Sequence, residues 1–92
     1  MIGNGTTFRK WFSILINDDA KIFIGNNCFF NNYCSLVAHK NIVIGNNTLF
    51  GENVKIYDNN HNYKNENLMI KDQGFTSSEI IIGNNCWIAS NV

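Results

Sequence analysis

His39 and His61 are the two imidazoles of this 92-residue chain, and they are the groups best suited to handle a proton at neutral pH. A neutral imidazole takes the proton of a hydroxyl while that oxygen attacks an electrophile, and His61 is the candidate general base. His61 follows Asp58 by three residues. At that spacing a carboxylate either orients and charge-stabilises the imidazole, as in catalytic triads, or caps a polar turn. No metal site is expected, because a zinc centre built on imidazoles asks for three and the chain has two. Cys28, Cys34 and Cys86 are an odd set that recurs at one small-residue position of the pattern described next. There a thiol serves as a small hydrophobe, and free, buried thiols are expected.

The elements that must position these groups are written in a repeat. Ile-Gly-Asn-Asn occurs at Ile24–Asn27, Ile44–Asn47 and Ile82–Asn85, with a looser copy at Ile2-Gly3-Asn4-Gly5. Each full copy follows a short apolar run and so reads as a strand ending in a tight turn, made with residues that accept positive φ at little cost. From Ile24 to Ile44 is 20 residues and from Ile44 to Ile82 is 38, one further repeat plus an insertion of about 18. Inside each repeat a finer period of six runs through Ile24, Phe30 and Leu36, then Ile44, Phe50 and Ile56, then Ile82 and Ile88. A small residue (Cys28, Cys34, Thr48, Val54, Cys86, Val92) stands four places after most of these apolar plugs. This is the hexapeptide pattern of a parallel β-helix, three units to a coil, whose plugs must stack from coil to coil because one coil cannot bury its own inner face. A short-stranded sandwich predicts alternation of period two and irregular turns instead. The expected fold is all-β, a single-stranded parallel β-helix of hexapeptide repeats with one protruding loop.

Residues 1–92 form a single β-helix domain in this reading. The first coil, residues 1–21, is irregular, and its Phe8, Trp11 and Phe12 are expected to cap an open end. The protruding loop spans 62–79, and the last coil is incomplete at residue 92. Seven Lys or Arg balance seven Asp or Glu, so neither nucleic acid nor an anionic membrane is expected as a partner. Neither a membrane span nor a secretory leader is visible in the sequence, and the expected location is cytoplasmic. With no proline, the corners must be built from left-handed residues, asparagine above all.

The run Ile44-Gly45-Asn46-Asn47-Thr48-Leu49-Phe50-Gly51-Glu52-Asn53-Val54-Lys55-Ile56-Tyr57-Asp58-Asn59-Asn60-His61, followed by a loop and by Ile82-Gly83-Asn84-Asn85-Cys86-Trp87-Ile88-Ala89-Ser90-Asn91-Val92, resembles the hexapeptide-repeat acyltransferases. Within them it is similar to the galactoside and maltose O-acetyltransferases and to acetyltransferases of polysaccharide biosynthesis. The resemblance covers about Phe29 to Val92. It alone implies a left-handed helix, since physical preference favours right-handed crossovers.

The resemblance further implies transfer of acetyl from acetyl-CoA, without a metal, to a hydroxyl of a sugar or glycan, in polysaccharide or lipopolysaccharide biosynthesis. His61 would be the general base, Asn31 would hydrogen-bond near the acceptor and the reacting centre, and Trp87 would wall the site. The backbone N–H near Ser90 would hold the developing oxyanion. His39 stands where such enzymes carry an acidic residue facing the acceptor, so His39 and Asp58 are the candidate substrate-binding residues. A homotrimer is implied, with the site in the groove between neighbouring subunits and the loop reaching across it. The alternative is a non-catalytic, truncated β-helix acting as a structural or trimerisation module.

Overall fold

A computed structural model describes residues 1–17, 19–61 and 75–92, with residues 60, 61 and 75–77 described by their backbone alone. The described residues hold strands and no helix. The first coil carries β1 (Thr7–Phe8) and β2 (Ser13–Ile16). The second carries β3 (Lys21–Ile24), β4 (Phe29–Phe30) and β5 (Ser35–Ala38), and the third β6 (Asn41–Ile44), β7 (Leu49–Phe50) and β8 (Lys55–Tyr57). Next come β9 (Asn59–His61) and β10 (Phe75–Ser77), and then β11 (Ile80–Ile82) and β12 (Trp87–Ile88).

Equivalent strands of successive coils pair in parallel, giving sheets ordered β3-β6-β11, β1-β4-β7-β12 and β2-β5-β8. The chain visits these three sheets in rotation, an arrangement compatible with a parallel β-helix. Lys21 pairs with Asn41 and Ile42 with Ile80, so the 20- and 38-residue spacings of the sequence are the axial registers of one sheet. The first coil is longer: Ser13 pairs with Ser35, 22 residues on.

The plugs Ile24, Phe30, Leu36, Ile44, Phe50 and Ile56 are buried in one core, while Ile82 and Ile88 of the last coil are partly buried against it. Ile22, Ala38 and Ile42 are buried too. They lie two residues from a plug in four-residue strands, and side chains two apart on a strand face the same way. Phe8, Phe30 and Phe50 stack along the axis with centroids 4.8 and 4.3 Å apart. Phe12 joins them 4.3 Å from Phe8 and 5.4 Å from Phe30. Phe8 and Phe12 thus pack against the core at the first coil as expected, but Trp11 does not share in this: it is 69 % exposed. The end stays partly open, for Ile14 and Ile16 of the edge strand β2 are exposed although their partners Leu36 and Ala38 are buried.

The small position of the repeat has a polar task as well. Cys28 Sγ donates to Gly45 O at 3.1 Å, Cys34 Sγ to Gly51 O at 3.3 Å and Thr48 Oγ1 to Gly83 O at 3.0 Å, each reaching the next coil. All three thiols are free; Cys28 and Cys34 are buried and Cys86 half-buried. Burial pushes the Cys34 thiol up from its ordinary value, against the lowering pull of its backbone hydrogen bond at Val54 and of the Lys55 charge. A raised pKa leaves it little thiolate and little reactivity.

At the Ile-Gly-Asn-Asn corner, positive φ falls on the second asparagine, at Asn27 (56°), Asn47 (58°) and Asn85 (57°). The glycine is required for a different reason than the turn conformation expected of it. The side-chain oxygen of Asn84 occupies the space a Cβ on Gly45 would fill, and there it accepts the backbone N–H of Asn46 at 2.7 Å. Asn46 does the same above Gly25, accepting from Asn26 N at 2.8 Å. A Cβ on Gly83 meets only Cys86 Sγ, at 3.9 Å. Gly45→Ala is therefore expected to cost about 1–3 kcal/mol of stability, as overpacking does. Gly83→Ala should stay within about 0.5 kcal/mol. Urea unfolding of both variants checks the contrast, and equal losses would show that the asparagine ladder is not what selects glycine.

Candidate functional site

The corner that leads from β5 to β6 and from β8 to β11 is where the coils differ in length. Counting between residues paired across coils, six residues separate Leu15 from Ile22, four separate Val37 from Ile42, and twenty-two separate Tyr57 from Ile80. Extra chain is admitted there because a corner loop faces outward, away from the stacked plugs, and a loop held on a rigid scaffold is where functional side chains concentrate.

The polar residues of this corner bind one another across coils. Asp58 is 4 % exposed, and its two carboxylate oxygens accept the backbone N–H groups of His39 and Lys40, each at 2.7 Å. Of the two roles open to Asp58 from its spacing, this is the geometry of a turn cap: the carboxylate satisfies the corner of the preceding coil and so fixes the backbone from which His39 projects. Bonds from backbone amides to a charged acceptor are stronger than neutral ones. On the other side of His39, Asn17 Nδ2 lies 2.7 Å from Nδ1 and 3.2 Å from Nε2.

Directly beyond Asp58 the chain leaves the coil as a hairpin. β9 and β10 pair antiparallel, with Asn59 opposite Ser77 and His61 opposite Phe75. Ser78 N closes its base on Asp58 O at 2.9 Å, and Asn41 Nδ2 donates to Glu79 Oε2 at 3.3 Å. The expected loop over 62–79 is thus a pairing at its C-terminal side, with residues 62–74 outside the described ones. Asn59 Oδ1 is buried and meets no hydrogen-bond partner among the described residues. His61 is the last residue of β9, at the mouth of the hairpin, three residues from the carboxylate that holds His39. Asp58 thus links the His39 turn to the start of β9, the strand whose backbone ends at His61.

The other predicted residues lie elsewhere on the chain. Asn31 follows β4 at the neighbouring corner, where its Oδ1 accepts the N–H of Asn32 at 2.8 Å. Ser90 follows β12 at the same corner two coils on, and its Oγ accepts the N–H of Glu52 at 2.9 Å. Trp87 faces outward on β12 beside Leu49 and is 75 % exposed. Within a single chain these three do not join the histidine corner. Asn17 and Asn59 are the corner residues that sequence reading missed. The 22-residue first coil hides the alignment of Asn17 with His39, and Asn59 is one asparagine among many.

Among the described residues no group of three or more His, Cys, Asp or Glu is arranged to hold a metal ion. No helix is long and apolar enough to cross a membrane. Comparison with protein-family models, curated proteins and solved structures finds no match for this chain.

Proposed function

We propose that the chain is an O-acetyltransferase built on a left-handed parallel β-helix, transferring acetyl from acetyl-CoA to a hydroxyl of a sugar or glycan. The observation that carries this reading is the histidine corner. There a buried carboxylate braces one imidazole-bearing turn, and β9, which begins at the next residue, ends at His61. In the proposed reaction the acceptor oxygen attacks the thioester carbonyl, and the C–O bond forms as its proton passes to the imidazole of His61. The C–S bond then breaks and the proton leaves with the CoA thiol. An alcohol is a poor nucleophile until its proton can leave, which is why a positioned base matters. His39 and Asn17, hydrogen-bonded to each other, are proposed to face the acceptor, whose hydroxyls suit an imidazole and an amide.

The division of predicted residues over two corners supports an assembly. Asn31, Ser90 and Trp87 belong to one flank of the coil and His39, Asp58 and His61 to another, so a closed threefold ring would bring one flank of a subunit against the other flank of its neighbour. Exposed apolar residues on all three faces favour such contact, among them Tyr57, Ile81 and Trp87.

Acetyl-CoA is expected to raise the thermal midpoint of the purified chain, by about 2.7 kcal/mol of stabilisation when present at a hundred times its Kd. Sedimentation is expected to give a trimer at micromolar concentration. A chain with no midpoint shift at millimolar acetyl-CoA would be a structural β-helix instead of an acyltransferase, and a monomer would remove the site between subunits.

A further inference from the structure

We infer that the coil of β11 and β12 binds the first coil of a second copy of this chain, so that copies stack head to tail along the coil axis. The observation that leads there is Gly83. Gly3, Gly5, Gly25, Gly45 and Gly51 each lie beneath a side chain of the next coil (Asn26, Asn27, Asn46, Asn84 and Ser90) that fills the space of a Cβ. Gly83 has no such neighbour within its own chain: a Cβ there meets only Cys86 Sγ, at 3.9 Å, and its φ is not positive. Glycine loses more freedom on folding than any other residue, so its place at this corner points to a close approach from outside the chain.

The same coil holds donors that every earlier coil satisfies. The backbone N–H groups of Asn4, Asn26 and Asn46 donate to the Oδ1 of Asn26, Asn46 and Asn84 at 2.8, 2.8 and 2.7 Å. Asn84 N finds no such acceptor among the described residues. Thr6 Oγ1, Cys28 Sγ and Thr48 Oγ1 donate to the carbonyls of Gly25, Gly45 and Gly83 in the next coil at 2.8, 3.1 and 3.0 Å. Cys86 Sγ reaches only Asn84 O of its own coil, at 3.6 Å. Gly45 N and Leu49 N donate to Ile82 O and Cys86 O, while Gly83 N and Trp87 N, at the equivalent places of the edge strands, have no acceptor among the described residues.

The first coil carries the complement. Ile2 pairs with Ile24 and Thr7 with Phe29, so Ile2 O, Gly3 O, Asn4 Oδ1 and Thr6 O stand where Ile24 O, Gly25 O, Asn26 Oδ1 and Cys28 O stand one coil on. The later four accept from the coil before them, and the first four have no donor among the described residues. Laid one strand spacing of about 4.8 Å beyond β11 and β12, a second first coil sets Asn4 over Gly83, Gly3 O on Cys86 and Phe8 over Ile88. Phe8 and Ile88 are the partly buried end members of the column that runs through Phe30 and Phe50. The sheet β2-β5-β8 has no strand from the coil of β11 and β12, so the junction rests on the other two sheets. An open sheet edge is a template for a further strand. Because the contact joins two different surfaces without closing, it extends as an open row.

This contact runs along the coil axis, apart from the flanks assigned to acetyl transfer, and its test uses no acetyl-CoA. Sedimentation of the 92-residue chain over a concentration series is expected to show species that lengthen without limit as concentration rises. Gly83→Ala should weaken the association at least about tenfold, because the added methyl meets the incoming Asn4. Asn4→Ala, whose side-chain oxygen has no partner within the chain, should weaken it about tenfold from the other side. Added to the parent, the Gly83→Ala chain should shorten the rows, since its first coil still binds and its last coil does not. Urea unfolding at a concentration where the parent is dissociated should not distinguish the variants from the parent. A parent that stops at three subunits at every concentration would overturn the stacking and leave the trimer standing. Rows of undiminished length in either variant, or a loss of stability in the dissociated Gly83→Ala chain, would also overturn it.

Discussion

Replacing His61 with alanine is expected to lower acetyl transfer by about two to four powers of ten, the usual contribution of a positioned general base. CoA affinity should hardly change, because the lost interaction is made with the acceptor's proton in the transition state and not with the donor in the ground state. The parent's rate should fall toward acid pH. The base works only unprotonated, so activity is present above the imidazole's pKa and lost below it. Release of the CoA thiol with a panel of sugar acceptors reads both quantities. A His61→Ala variant within about tenfold of the parent would remove the base assignment. If His39→Ala alone carried the large loss, the base would be the imidazole that Asn17 contacts.

The largest stability effect is expected at Phe30, which has no exposed surface and touches Phe8, Phe12 and Phe50. Phe30→Ala should cost about 3–5 kcal/mol through lost burial and the cavity left behind. That is a large share of the roughly 5–15 kcal/mol that holds a domain folded. Stacked repeats transmit the loss, since each coil is stabilised through its interface with its neighbours. Phe30→Leu, which refills most of the volume, should cost far less. Urea unfolding followed by circular dichroism measures both. A loss under about 1 kcal/mol for the alanine variant would show that the axial phenylalanine stack is not the centre of the core.

The repeat was legible because burial recurs in it. A plug every six residues and a turn tetrapeptide at a 20-residue spacing can be read without coordinates, and they led to parallel strands in three sheets with Phe30, Leu36, Phe50 and the rest inside. Left-handed asparagines at the corners were legible for the same local reason, since few residues tolerate that backbone. The second inward position of the four-residue strands, at Ile22 and Ile42, escaped a hexapeptide count that allots one plug to each face. Other features belong to the stacking. Gly45 is needed because Asn84, thirty-nine residues away, reaches over it. Asp58 had two roles open to it until its oxygens were found on the amides of His39 and Lys40. Asn17 meets His39 only because the first coil is two residues longer at that corner. The coil is written locally, in a period of plugs and turn residues that neighbouring positions are enough to set. Which side chains meet at a corner was decided by the axial register of whole coils, a property of contacts twenty or more residues apart to which local spacing is blind.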